Sequence, residues 1–190
     1  MSTPRTSPER RPVPALVALA NAGRPRRAPR ARHGHSDDPF ADLKSAQLLL
    51  DPLHLSCRVE ANDLPVLWAM ASEVTRIADA LVHGETPPDP DVLNAAGAEA
   101  RARPLLDLTG RTPAASNLWQ YSGAPAELAH RVIYELGSLD PSRLKECERP
   151  ECTLVFYDTT RPGTQRWHAE DPCGWHERQM RYRSKGDDRT

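Results

Sequence analysis

Between residues 62 and 84 apolar side chains return every three or four positions: Leu64, Leu67, Trp68, Ala71, Val74, Ala78 and Leu81. That spacing predicts an amphipathic helix, with Asn62 able to cap its start, Pro65 tolerated in its first turn and Gly84 ending it. The stretch "ETPPDPD" then breaks the chain, and Asp91 can cap a shorter helix running through "VLNAAGAEARA", although Gly97 weakens its middle. In "PLLDLTGRTPAASNLWQY" two apolar runs flank Gly110 and Pro113, the pattern of a β-hairpin over residues 104–121. Helical spacing returns from Pro125 to about Leu136, with Leu128, Val132, Ile133 and Leu136 on one side. Gly137 and Asp140-Pro141 close that helix.

Charge is distributed unevenly along the pattern. Residues 1–36 hold eight arginines and six prolines against a single acid, Glu9, whereas residues 37–142 hold sixteen acids against seven bases. A basic, Pro-rich segment with one brief apolar run reads as a disordered tail over residues 1–36. Its stretch "RRPVPALVALANAG" imitates a secretion signal, but the apolar part is short and contains Pro12 and Pro14. The formal net charge of −1 gives no whole-molecule argument for nucleic acid. No apolar run reaches the eighteen or so residues that span a bilayer, so no membrane partner is expected.

Three of the four cysteines, two histidines and two tryptophans fall within residues 147–179. Cys147 and Cys152 are spaced C-x4-C, and His168 and Cys173 follow as H-x4-C after fifteen intervening residues. Two such pairs on two turns supply the corners of a tetrahedral zinc site, in a Cys3His shell. His176 is the alternative fourth ligand, though it follows Cys173 by only three residues. Between the pairs "TLVFYD" reads as a strand, "TTRPGTQ" as a turn and "RWH" as a returning strand, with a short helix after Cys173. About forty residues bury too little apolar surface to fold unaided, so the metal would act as this module's core, covered by Phe156, Trp167 and Trp175. Thiols spaced for metal fit a reducing compartment, hence a cytoplasmic location.

The segment "HAEDPC" holds both halves of the zinc-deaminase signature, but only Asp171 separates Glu170 from Pro172, and His176 replaces the second cysteine. Four protein donors also leave no open position for water, so no enzyme is expected. Outside this cluster, His54 and Cys57 read as an ordinary imidazole and a buried thiol, His83 and His130 as helix residues without a catalytic role, and Trp68 and Trp119 as core.

"RLKECERPECTLVFYDTTRPGTQRWHAEDPCGWHERQMRYR" resembles the CGNR zinc finger over residues 143–185, through Cys147, Cys152, Phe156 with Asp158, Arg166, Trp167, Cys173 and Gly174. His168 stands where that family has its third cysteine, and Trp175 and His176 replace the Asn and Arg of its name. The resemblance implies a mostly helical ABATE-like domain upstream, here residues 37–140, whose helix, helix, hairpin, helix order is similar. It also implies a DNA-binding transcription regulator. The expected fold is therefore mainly α (α+β): a small helical domain with a β-hairpin, then a zinc finger of β-hairpin plus short helix. Arg178, Arg181 and Arg183 on the finger helix, with Arg166 beside the metal, are the expected contacts to duplex DNA. DNA readers of this size commonly dimerise, which adds a homodimer to the expected partners. The other function class is a zinc-stabilised module that binds protein rather than DNA. The two differ in whether the finger's acids and bases separate onto opposite faces or pair off on the same one.

Overall fold

The computed structural model describes residues 15–24, 38–109, 112 and 114–187; within the last helix the side chains of residue 181 and residues 183–187 fall outside the description. The chain is mainly helical with two two-stranded antiparallel sheets, the fold class that the pattern predicts. Among the described residues there are six α-helices, α1 (Ala15–Ala22), α2 (Leu43–Leu50), α3 (Leu64–His83), α4 (Asp91–Gly97), α5 (Ala124–Ser138) and α6 (Trp175–Asp187), and four strands, β1 (Ala100–Asp107), β2 (Ala114–Tyr121), β3 (Leu144–Glu146) and β4 (Val155–Tyr157). Among the described residues no helix is long and apolar enough to cross a membrane.

The core forms where α1, α3, α4 and α5 meet. Leu67, Met70, Ala71, Val74 and Ala78 form the buried stripe of α3, facing Leu16, Leu19 and Ala20 of α1 and Leu128, Ala129 and Val132 of α5. The helix stops at Gly84, whose φ of 70° is open to glycine at no steric cost. Trp68, one step round from Leu67, is 54% exposed rather than core, because the stripe is filled by smaller side chains. Gly97 earns its place by packing: a Cβ there would lie 2.7 Å from Ile133 Cδ1 of α5.

Residues 15–24 correct the expected disordered tail. All but two side chains of α1 are buried, and burying Leu16, Val17 and Leu19 contributes roughly 1.5–3 kcal/mol each toward the cost of ordering the segment. Its N-terminus is capped from afar: the Glu135 carboxylate accepts from the Ala15 and Leu16 amides at 2.8 and 2.6 Å. The apolar run that imitates a secretion signal is thus a core helix. Residues 1–14 and 25–36 lie outside the described residues.

Two fully buried glutamates do similar work. Glu73 of α3 accepts from Val92 and Leu93 at the start of α4, at 3.0 and 2.8 Å. Glu127 of α5 accepts from the Ser56 and Cys57 amides and the Ser56 hydroxyl, while Arg131 bridges it to the Leu53 and His54 carbonyls. Isolated in an apolar core these carboxylates would be costly, and the backbone donors at each offset that cost.

The first sheet pairs Ala100↔Tyr121 through Asp107↔Ala114. It starts earlier than expected, since α4 ends at Gly97 and releases residues 100–103 to the strand. Trp119 is half-buried rather than core, its ring 4.1 Å from His130 of α5.

Candidate metal centre

The C-terminal module grows from β3 and β4, which pair Leu144↔Tyr157, Lys145↔Phe156 and Glu146↔Val155. Leu144 and Val155 lie in the same buried cluster as α1, α3 and α5, so the module rests on the body's core. The two cysteines of C-x4-C sit in the loop that connects these strands. Cys147 N–H donates to Leu154 at 2.9 Å, and Cys152 N–H closes the turn onto Arg149 at 2.8 Å.

The expected returning strand "RWH" is not formed, because both edges of β4 are occupied. β3 holds one. At the other the Asn21 side chain from α1 makes the two bonds a neighbouring strand would make, accepting from Val155 N–H at 2.8 Å and donating to Val155 C=O at 2.9 Å. Arg24 adds a bond to the Thr153 carbonyl at 2.7 Å while ion-pairing with Asp79 of α3. Residues 166–168 instead run as an irregular segment, tied by Glu148 N–H to the Arg166 carbonyl at 2.9 Å.

Asp158 organises that segment. Its fully buried carboxylate accepts from Lys145 Nζ at 2.8 Å, the Thr160 amide and hydroxyl at 2.9 and 2.6 Å, and the Gln165 amide at 2.8 Å. Burial alone would raise its pKa, but these donors hold the carboxyl well below the usual range. The loop so fixed delivers His168 to the cysteines.

Cys147, Cys152, His168 and Cys173 come together with their donor atoms all within 4.8 Å of one another. His168 Nδ1 lies 3.4 Å from Cys152 Sγ and 3.7 Å from Cys173 Sγ. A tetrahedral zinc with bonds of about 2.3 Å to sulfur and about 2.0 Å to nitrogen requires nitrogen–sulfur edges of roughly 3.5 Å, so the donor set fits the ion. The fourth position in the group is held by His168 and not by His176.

Burial pushes the Cys152 thiol up to about 12, with the crowded thiols of Cys147 and Cys173 adding to the effect, and burial also raises Cys173. Burial, then the nearby Arg149 charge, lowers His168. The Cys152 and Cys173 thiols thus resist ionising unless a cation stands beside them, which is the electrostatic setting of a metal-held knuckle. Arg149, paired with Glu151 at 2.8 Å, also hydrogen-bonds toward Cys173 and would offset the excess negative charge of three thiolates around a divalent ion.

The turn Glu170–Gly174, which carries Cys173, feeds directly into α6. Phe156 and Trp167 cover the module as expected, one buried and the other half-buried, but Trp175 is 52% exposed on α6. Of the expected DNA contacts, Arg166 donates from Nε to Glu148 at 2.6 Å and sits 5.2 Å from the Trp167 ring centroid. Arg178 is ion-paired with Glu170. The side chains of Arg181 and Arg183 lie outside the described residues.

Residues 143–186 match the CGNR zinc finger family. The match and the four converging donors define the C-terminal segment as a zinc-finger module, with a cluster suited to a bound metal and consistent with zinc. No curated protein matches the chain. Sequence spacing found the three cysteines and narrowed the fourth donor to His168 or His176, of which the fold brings His168 into the group. The residues that position them, Asn21, Lys145 and Asp158, carried no such signal, except that Asp158 belongs to the aromatic-x-Asp step of the family pattern.

Proposed function

We propose that this protein is a transcription regulator whose zinc finger contacts duplex DNA through α6 and whose helical body, ABATE-like in its order of elements, is the sensory or regulatory module. The observation that carries this reading is the placement of α6. A knuckle suited to zinc ends at Cys173 and Gly174, and a thirteen-residue helix bearing Arg178, Arg181, Arg183 and Lys185 starts at the next residue, so the metal would fix the base of a basic helix. The metal's role is structural, since four protein donors fill a tetrahedral shell and leave no position for water. A cytoplasmic location goes with this reading.

One observation favours a second reading, in which the finger binds a protein partner. Arg166 and Arg178 are each engaged by a glutamate on the same face, Glu148 and Glu170, the arrangement that lowers net positive potential. Exposed pairs of this kind contribute little, so a phosphate can displace the carboxylate, but at reduced affinity. The two readings separate in one experiment. Zinc-loaded protein is titrated into a fluorescent random duplex at about 50 mM and about 200 mM salt, beside a Glu148→Gln, Glu170→Gln variant. Under the DNA reading the wild type binds at low salt, and the variant binds several-fold tighter with a salt slope steeper by up to about 0.9 for each arginine that gains a phosphate. Absence of duplex binding by both proteins refutes it in favour of the protein-partner reading.

A further inference from the structure

The β1–β2 hairpin is anchored at its base and bare beyond it. Near the base Trp119 and Tyr121 meet His130 and Tyr134 of α5, with ring centroids 4.1–6.2 Å apart. Farther out Leu105, Leu106, Leu108 and Leu118 are 40%, 68%, 65% and 46% exposed. Among the described residues no third strand pairs with either edge. A two-stranded ribbon with both faces in water is at best marginally stable, and an open edge is a template for another strand.

The two edges are not alike. β1 is protected: it carries Arg101, Arg103 and Asp107, and Pro104 removes one amide donor. β2, "AASNLWQY", has no proline and no Asp, Glu, Lys or Arg along eight residues, roughly 27 Å of edge. Nothing in its composition repels a copy of itself.

We propose that β2 is a homodimerisation edge, pairing antiparallel with β2 of a second copy across a twofold axis to give a continuous four-stranded sheet in the order β1-β2-β2-β1. Charge placement selects both the edge and the occupant. Pairing through β1 would set Arg101 and Arg103 of two copies on neighbouring strands about 4.8 Å apart, where like charges destabilise. Pairing through β2 moves the two sets of arginines to opposite margins, three strand spacings or about 14 Å apart, beyond the Debye length of about 8 Å at physiological salt. Leu105 and Leu118 lie on the same face of the hairpin, since Leu105 is opposite Ser116 and Arg103 is opposite Leu118. Pairing centred on Leu118 therefore gathers four leucines from two copies on one face of the sheet. The proposal stands apart from the DNA reading and does not depend on it.

The test is sedimentation equilibrium of the zinc-loaded full chain over the micromolar range, with hydrogen exchange read at residues 114–121. The wild type is expected to form a species of twice the chain mass, with β2 amides exchanging more slowly as concentration rises. Leu118→Lys, which sets two ammonium groups against each other at the axis, should weaken the dimer at least about tenfold. Arg101→Gln, Arg103→Gln on β1 should leave it within about twofold. A monomer at every concentration overturns the proposal, as does a dimer weakened by the β1 variant and not by Leu118→Lys. Exchange at β2 that is slow in the monomer and independent of concentration overturns it too, because the edge would then be covered by the chain itself. The exchange measurement on the wild type decides the matter even if Leu118→Lys fails to fold.

Discussion

Replacing Asn21 by alanine tests whether α1 fastens the metal module to the body. Asn21 makes two bonds, 2.8 and 2.9 Å, to the amide and carbonyl of Val155, whose side chain is 1% exposed. Truncation leaves both backbone groups without that partner on an edge that no strand can fill. An unsatisfied buried group costs about 1–3 kcal/mol, giving roughly 2–6 kcal/mol for the pair. Asn21 is itself half-buried, so water can enter the space left by its amide and the lower end applies, about 2 kcal/mol. For a chain of this length that lowers Tm by about 4–8 °C, a substantial share of a total stability of about 5–15 kcal/mol. The assay is urea unfolding of zinc-loaded full-length protein followed by far-UV circular dichroism, with the denaturant slope compared to confirm that the same surface unfolds. Zinc transfer to a chromogenic chelator, measured on the same samples, should also be faster in Asn21→Ala, because β4 leads directly away from Cys152. A change below about 0.5 kcal/mol, the range of ordinary surface substitutions, would refute the reasoning.

Removing the metal with a chelator, or replacing Cys173 by serine, should unfold the knuckle and lower the melting temperature of the whole chain, because Leu144 and Val155 are part of the shared core; thermal melts with and without chelator check this, and identical melts would contradict it. Stability should also depend on pH through Glu135, whose carboxyl is raised above its ordinary value of 4.5 by burial, with the Leu16 and Ala15 amides opposing. A raised folded pKa means that the native state holds the proton more tightly, so this contribution is fully present below about 4.5 and is lost as pH rises through the folded value. The stability of wild type relative to Glu135→Gln should therefore fall as pH is raised from about 4 to about 7, and a difference that rises with pH would reverse the assignment. Glu127 has the opposite sign: burial would raise it, but the Ser56 and Cys57 donors and Arg131 hold it low, so its contribution is present above 4.5 and lost as pH falls, which melts of Glu127→Gln against wild type would reveal.

Helices α3 and α5 were legible because their apolar positions repeat cleanly and their starts and stops are local: Gly84 with its positive φ, and Pro125 in the first turn. The metal cluster was legible for a related reason. Ligands to one ion must return in pairs on tight turns, so spacing picks out Cys147, Cys152 and Cys173 and favours His168, with His176 as the alternative that the fold removes from the group. What the sequence hid are features that act at long range. Helix α1 sits within an Arg- and Pro-rich segment whose composition masks eight residues that are nearly all buried, and its cap is a carboxylate 120 residues away. Asn21, lying between two alanines in the stretch that imitates a secretion signal, serves as a strand edge. In α2, Ala46 and Leu50 are buried while Leu48 is exposed, so its three consecutive leucines give no clear helical stripe.

The same long-range contacts bear on how the helical body and the metal module affect each other. If the finger were joined to the body by a linker alone, events in the helical domain would change the finger's position without changing its structure. Here β4 is flanked on one side by β3 and on the other by Asn21, and α1, which supplies Asn21, is packed on α3 and α5 and capped by Glu135. Any ligand or partner that shifts α5 relative to α3 must also alter the seat of α1, and through Asn21 and Arg24 the strand that follows the second cysteine. Coupling of this kind is reciprocal: whatever free energy metal binding adds to the docking of α1, docking of α1 adds to the retention of metal. Metal affinity measured in the full chain should therefore exceed that of residues 143–186 alone, and equal affinities would show that the two parts share a core without exchanging free energy.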